Sequence, residues 1–331
     1  MLSRIKALAA SFDREQRPVP DEARAPTEGL HVVQDVQLSS CFTREQDKTW
    51  QSGFIRRSDY ATFTPRRANN LFSQHCASFP ALEVKEIFPR AYFGGVLFPY
   101  YGHFLIESLA RLPNIPDDGL PIVFMCLSDT VKEWHKLFFS DIGLDTRIRL
   151  TRKSQLMQVD EMIRVDQTTC IHADISRRFL DFTQTLFPAA PSLGKKIYLS
   201  RKLSPNAPVQ HEDLLEEQLA LLGFDIIQPE KLTIKKQVRL FDEAATVAGV
   251  EGSALHTLIF SSTPKHVMIL PRRKTLDLNF VLQFAVQPRL RVEVLHCMQR
   301  YAETFSAPAE LDVAAARQAI ASAVERFAAA N

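Results

Sequence analysis

From Lys195 to Leu270, short apolar runs alternate with longer amphipathic ones, and that alternation admits few folds. KKIYLS (195–200), FDIIQ (224–228), ATVAGV (245–250) and HVMIL (266–270) read as strands. EDLLEEQLALLG (212–223) reads as a helix with Leu214, Leu215, Leu219 and Leu222 on one face and Gly223 as its stop. Thr233 caps a second helix over 234–243, and SALHTLIF (253–260) forms a third. Strands and helices alternating at this spacing specify an α/β fold, with a parallel sheet covered on both faces.

The first half of the chain is less regular. AYFGGVLF (91–98) predicts a strand carrying glycines, and GHFLIESLARL (102–112) a helix ended by Pro113. PIVFMCL (121–127) is a continuous apolar run, as in a strand buried on both faces. A helix follows at 130–140, then strands at 146–150 and 157–165, and a helix over 174–187 that ends at Pro188. Residues 31–90 carry short mixed segments with no clear period. PAAPSLG (188–194) reads as a linker between a lobe of 31–187 and a lobe of 195–331. Residues 13–30, rich in proline and charge, read as a mobile connector.

Composition narrows the function classes. A net charge of +2 over 331 residues is too small for nucleic-acid binding by bulk attraction, so any anion site is local. The five cysteines, at 41, 76, 126, 170 and 297, form no C-x-x-C pair and are odd in number. They read as reduced thiols of a cytosolic protein rather than a disulfide framework or a zinc cage. No apolar run approaches the roughly 18 residues of a membrane span. The N-terminus is too short and charged for a signal peptide. Its weak amphipathic pattern (Leu2, Ile5, Leu8, Ala9, Phe12) reads as a surface helix, in peripheral contact with the inner membrane at most.

In a parallel α/β sheet, ligands bind outside the carboxyl ends of the strands. Those ends read Ser200-Arg201-Lys202, Glu251-Gly252-Ser253 and Arg272-Arg273-Lys274. Two are basic, and the third is a turn opening a helix, whose free N–H groups favour a phosphate. A single basic residue after a strand is usually a solvated loop charge; three such ends on one sheet edge describe a crevice for a phosphorylated ligand. G-x-G-x-x-G and Walker-type motifs are absent, which disfavours a simple NAD enzyme or a P-loop kinase. Ser253 with His256 suggests a hydrolase, but the glycines of a G-x-S-x-G nucleophile elbow are missing.

In the first lobe His103, Glu107 and Arg111 fall at i, i+4, i+8, on one face of the predicted helix. Glu107 can orient His103 as a catalytic base, or act as the base itself. An exposed ion pair, about 0.3–0.5 kcal/mol, is the plain alternative. Arg111 and His256 read as supporting residues. The chain contains no Asp-x-Asp of the kind that metal-dependent sugar transferases present; its nearest string is Asp277-Leu278-Asn279. A leaving diphosphate would be met by Arg, Lys and a helix N-terminus, with no metal and no cofactor.

The stretch from KKIYLSRK through HVMIL resembles the core of glycosyltransferase family 61. The likeness is carried by strand–Ser-Arg, a leucine helix, Gly-Phe, Pro-Glu-x-Leu, and a Gly-x-x-Gly-Ser turn before an apolar helix. GHFLIESLARL is similar to the family's His-Phe-x-x-Glu-x-x-x-Arg segment, and together the matches cover roughly residues 90–272. The resemblance implies a GT-B architecture of two Rossmann-like lobes with a cleft between them. It also implies inverting transfer from a nucleotide-sugar donor such as UDP-xylose or UDP-N-acetylglucosamine to an oligosaccharide or lipid-linked glycan acceptor, in capsule or other surface polysaccharide assembly. It puts Ser200 and Arg201 at the donor strand end, Gly252 and Ser253 in the turn, and His103, Glu107 and Arg111 on the first-lobe helix, while Lys202 and Arg272 join the donor site through the strand-end reading alone. Many members carry His before the glycine of the turn, where this chain has Glu251. That carboxylate either meets sugar hydroxyls or pairs with Arg201 or Arg272. Two other readings stand beside the transferase: a non-catalytic relative that binds a glycan or nucleotide, and a hydrolase working through Ser253 and His256.

Overall fold

A computed structural model describes residues 30–43, 50–53, 72–76, 82–127, 129–204 and 207–329. The N-terminal helix and the connector expected within 1–30 fall, Leu30 apart, outside them. Two compact units divide between Phe179 and Leu180.

The unit ending at Phe179 is built on a five-stranded sheet: β1 (His31–Leu38), β2 (Val84–Leu97), β3 (Ile122–Cys126), β4 (Ile148–Leu150) and β5 (Leu156–Arg164), in the order β1-β5-β2-β3-β4. Only β1 runs antiparallel, against β5; the other neighbours are parallel. The long β2 is shared. Its first half, Val84 to Tyr92, pairs with β5, and its second, Tyr92 to Leu97, with β3. Burial follows this division: Val84 to Arg90 is half open, whereas Ala91 to Leu97 is wholly buried. Gly94 and Gly95 make a bulge inside the second half, where the register against β3 shifts between Phe93 and Gly95. A β-carbon on Gly94 would lie 2.6 Å from the Phe124 ring, and Gly95 has φ +114°, which glycine alone adopts without strain. Helix α1 (Glu133–Asp141) covers the sheet, burying Phe138 and Phe139.

The second unit, from Leu180, holds an all-parallel sheet of β6 (Lys195–Leu199), β7 (Phe224–Ile227), β8 (Ala244–Val250), β9 (Lys265–Leu270) and β10 (Leu290–Val294), ordered β7-β6-β8-β9-β10. Alternate residues feed two cores, as the strand period of two requires. Tyr198, Ala248 and Met268 pack under α2 (Glu212–Leu221) and α5 (Val313–Ala329). Ile197, Val247 and Val267 pack under α3 (Ile234–Glu243), the 3-10 helix Ser253–Phe260 and α4 (Leu278–Val286). The predicted strands and helices of 195–270 all form, and Thr233 caps α3 by accepting from the Lys236 N–H. One face is corrected. Leu215 and Leu219 are buried under α5, but Leu214 is 47% exposed, because it sits about 100° round the helix from Leu215. Among the described residues no helix is long and apolar enough to cross a membrane.

Candidate functional site

In the second unit the strand order reverses between β6 and β8, because the chain leaves β6 toward β7 on one side and returns to β8 on the other. Ligands of open parallel sheets bind outside the carboxyl ends at that switch point. Ser200-Arg201-Lys202 follows β6 there and Glu251-Gly252-Ser253 follows β8. Gly249 lets the two strands approach: a β-carbon on it would lie 3.2 Å from Leu199 Cβ. The Arg201 guanidinium lies directly over Gly252, with Nη1 at 1.8 Å from the position a β-carbon would take. Arg272, at the end of β9, is 5% exposed. Its Nε donates to the Glu251 carbonyl (3.4 Å) and its Nη2 to the Phe305 carbonyl (3.1 Å). Burial, and then the nearby Arg201 charge, lower the Arg272 guanidinium to about 10; burial lowers Arg201 as well. Two half-desolvated like charges at a switch point are an arrangement that an anion relieves.

The other residues read from the sequence sit around these two. Ser200 is buried, and its hydroxyl accepts from the Lys202 N–H (3.2 Å), closing the turn; the Lys202 side chain is exposed. Ser253 is exposed at the start of the 3-10 helix. His256 is buried, stacks on Phe280 at 4.1 Å, and holds Gln283 Oε1 through Nδ1 (2.7 Å). No hydrogen bond joins Ser253 to His256 among the described residues. Glu251 turns away from the turn it belongs to. Its carboxylate accepts from the Arg272 N–H (3.3 Å) and the Asp277 N–H (2.9 Å), and so ties down the 271–277 loop. Burial raises its carboxyl above the usual range.

In the first unit the predicted helix over 102–112 is not regular. Tyr101–His103 is a single α turn, Phe104–Ser108 is π-helical, and Leu112–Asn114 is a 3-10 turn that contains Pro113. The irregular turn is met by partners distant in the chain. The widened turn frees carbonyls, and side chains from 166–169 take them: Thr169 Oγ1 donates to Ile106 O, and Thr168 Oγ1 to Ala110 O (2.7 Å). Single π-helical turns recur at functional sites. His103 and Glu107 still meet, through Nδ1 and Oε2. The Glu107 side chain is 3% exposed and that of His103 39%. A carboxylate accepting the Nδ1 proton leaves Nε2 as the acceptor nitrogen, on the more open side of the pair. Arg111 packs against β2. It is 2% exposed, lies over the Phe93 ring at 5.2 Å, donates to Gln167 Oε1 at 3.4 Å, and is 3.3 Å from the β-carbon position of Gly95.

The family model Glycosyltransferase 61 matches residues 101–269, just over half of the chain, from the π-helical segment to β9. The chain belongs to glycosyltransferase family 61. No curated protein matches it. The matched span takes in both the His103–Glu107 pair and the Arg201–Gly252 contact, and membership makes this a glycosyltransferase that takes a sugar donor and a glycan acceptor. Among the described residues of the transferase no three His, Cys, Asp or Glu side chains are grouped to hold a metal ion.

Sequence reasoning missed two residues that shape the two candidate sites. Glu212, the first residue of α2, is buried, accepts from the Arg201 N–H (3.1 Å) and the Tyr198 hydroxyl (3.0 Å), and fixes the turn after β6. Burial raises its carboxyl to about 7. His135 accepts from the Lys132 N–H through Nδ1 (2.9 Å) and donates from Nε2 to the Phe98 carbonyl (3.0 Å), just before the His103 turn. Burial lowers it to about 4, so it is a neutral fastening for that turn.

Proposed function

We propose that this transferase moves a sugar, of the xylose or N-acetylhexosamine class, from a nucleotide-sugar donor to an oligosaccharide or lipid-linked glycan acceptor with inversion. The observation that carries the reading is the pair of desolvated arginines, Arg201 and Arg272, at the switch point of the second unit's sheet, with Arg201 laid over Gly252. In this reading they neutralise the donor diphosphate, helped by the N–H groups of the Gly252-Ser253 turn and by Lys202. Arginines fill the role a metal plays in other transferases, so transfer proceeds in excess chelator. The first unit, as acceptor lobe, supplies the base: His103 Nε2 removes the acceptor hydroxyl's proton while Glu107 holds the ring. Taken with the family, this gives a GT-B enzyme of surface polysaccharide assembly, working in the cytosol or at the inner face of the membrane.

The test is calorimetric titration of a panel of nucleotide sugars, chosen after a thermal-shift screen, since a ligand bound only by the folded state raises the melting temperature. One or more donors should bind wild type, and Arg201→Ala should weaken that binding without unfolding the chain. Unchanged affinity in Arg201→Ala takes Arg201 out of the site. Complete loss of transfer in chelator, restored by magnesium or manganese, overturns the metal-free reading. A Glu251 carboxylate facing the diphosphate would favour a non-catalytic relative. Its hydrogen bonds to the Arg272 and Asp277 amides support the transferase reading instead.

A further inference from the structure

Phe305 lies outside the span matched by the family, and no donor or acceptor role has been given to it above. It is 59% exposed, and its ring is backed by the Arg273 guanidinium, whose carbon is 4.3 Å from the ring centroid. A lone exposed phenylalanine is ordinary on a protein surface. This one is fastened at the ligand edge of the sheet. Its carbonyl accepts from Arg272 Nη2 (3.1 Å), and the Arg272 carbonyl in turn accepts from the Ala302 N–H (2.8 Å). The 302–305 loop is therefore bound to the same residue that flanks Arg201 and Glu251.

A second observation points to a ligand at this place. Arg272 is 95% buried by its 5% exposure, yet its Nη1 has no hydrogen-bond partner among the described residues. A buried guanidinium N–H left over in a native fold calls for a partner, and the partner that suits it is an anion. A ring held open to one side, with a cation behind it and an unfilled anion donor next to it, matches the two ends of a nucleoside diphosphate: a planar base and a charged tail.

We propose that Phe305, supported by Arg273, is a stacking platform for the nucleobase of the donor. The proposal rests on the donor-site reading given above and extends it from the diphosphate to the base. Stacking on an aromatic face tolerates any base, because every base has a π-face, so Phe305 adds affinity and not base choice.

The experiment is calorimetric titration of the full chain with UDP, CDP, GDP and ADP, and separately with pyrophosphate, for wild type, Phe305→Ala and Phe305→Tyr. Thermal melting of each variant confirms that it folds. Whichever nucleoside diphosphates bind wild type should bind Phe305→Ala about tenfold more weakly, the size of one base–aromatic stack. Pyrophosphate affinity should be unchanged in that variant, and Phe305→Tyr should restore the nucleotide's. Equal nucleotide affinity in wild type and Phe305→Ala overturns the platform and leaves the arginine site standing, as does pyrophosphate binding wild type as tightly as the nucleotides. If neither pyrophosphate nor any of the four nucleotides binds wild type, the donor-site reading fails and the platform fails with it.

Discussion

The Arg201 side chain fills the space over Gly252, with Nη1 1.8 Å from where a β-carbon would stand, so the end of β6 and the turn after β8 are one piece of structure. The glycine is required for room and not for backbone angle, since its φ of −177° is extended and open to any residue. Gly252→Ala should therefore fold, because the obstacle is the far end of a flexible side chain that can swing aside. Displacing the guanidinium should cost about tenfold in nucleotide-sugar affinity, near one charge-assisted hydrogen bond. Thermal melting and calorimetry on the same samples separate the two effects. A variant with unchanged affinity would show that the position of Arg201 is irrelevant to the donor.

Glu251 makes a different prediction, about stability. Its two oxygens accept the N–H groups of Arg272 and Asp277, both of which lie in buried backbone. Glu251→Ala leaves those donors without an acceptor, at about 1–3 kcal/mol each where no water reaches them. Urea unfolding should show a loss of about 2–6 kcal/mol for the two donors together. A variant as stable as wild type would mean that the 271–277 loop holds its shape without the carboxylate.

How much of this was open to a reader of the sequence depends on how local each signal is. The elements of 195–270 were legible because each apolar run is bracketed by its own stop or cap, Gly223 after α2 and Thr233 before α3. Strand β1 was not: HVVQDVQL mixes polar and apolar residues, and its partner β5 lies more than a hundred residues away. β10 and α5 were missed for similar reasons. LRVEV carries polar residues in its middle, and α5 is built on alanines whose burial, as at Ala316 and Ala323, depends on α2 and the sheet beneath it. At the site, residue types at strand ends could be read directly, while destinations of side chains could not. Glu251 and Glu212 each reach across to backbone N–H groups of another element. Arg111 has the helical spacing to follow Glu107, while its packing against Phe93 and Gly95 depends on a strand that the local pattern does not place beside it.

Glu212 gives the molecule a pH dependence whose sign can be worked out. Burial raises its carboxyl to about 7 in the folded chain, from an ordinary 4.5, with the like charge of Glu216 adding to the rise. The folded state thus keeps a proton that the unfolded state releases. The stability this gives is whole below about pH 4.5 and is lost as pH rises to about 7, amounting to ~3 kcal/mol. Glu212→Gln removes the titration and retains an oxygen for the Arg201 N–H. Urea unfolding over that range should show wild type losing stability with pH relative to the glutamine variant. His135, lowered to about 4, adds an opposite slope between pH 6.5 and 4, but it does so in both proteins and cancels in the comparison. Parallel curves would mean that Glu212 is already ionised at pH 4.5 in the fold.

The His103–Glu107 pair is the most exacting test of the catalytic reading. Inverting transfer needs a group that takes the acceptor hydroxyl's proton as the new bond forms. The structure gives the two residues unequal places. Glu107 is buried, with its carboxylate on Nδ1, whereas His103 is partly open, between the Phe98 and Tyr100 rings at 5.7 and 6.0 Å. That division suits His103 as the base that touches substrate and Glu107 as the residue that fixes its tautomer. Removing a general base typically lowers a rate by about a hundredfold to ten-thousandfold. His103→Ala should lose turnover on that scale, and Glu107→Gln should also fall by a hundredfold or more, because an amide can donate to Nδ1 and favour the wrong tautomer. On the proposed assignment of the donor to the other unit, nucleotide-sugar affinity should stay near wild type in both. Donor titration and initial rates on the same preparations check the two halves of this expectation. Near-wild-type turnover in both variants would make the pair a structural fastening of the π-helical turn and would move the base to another residue.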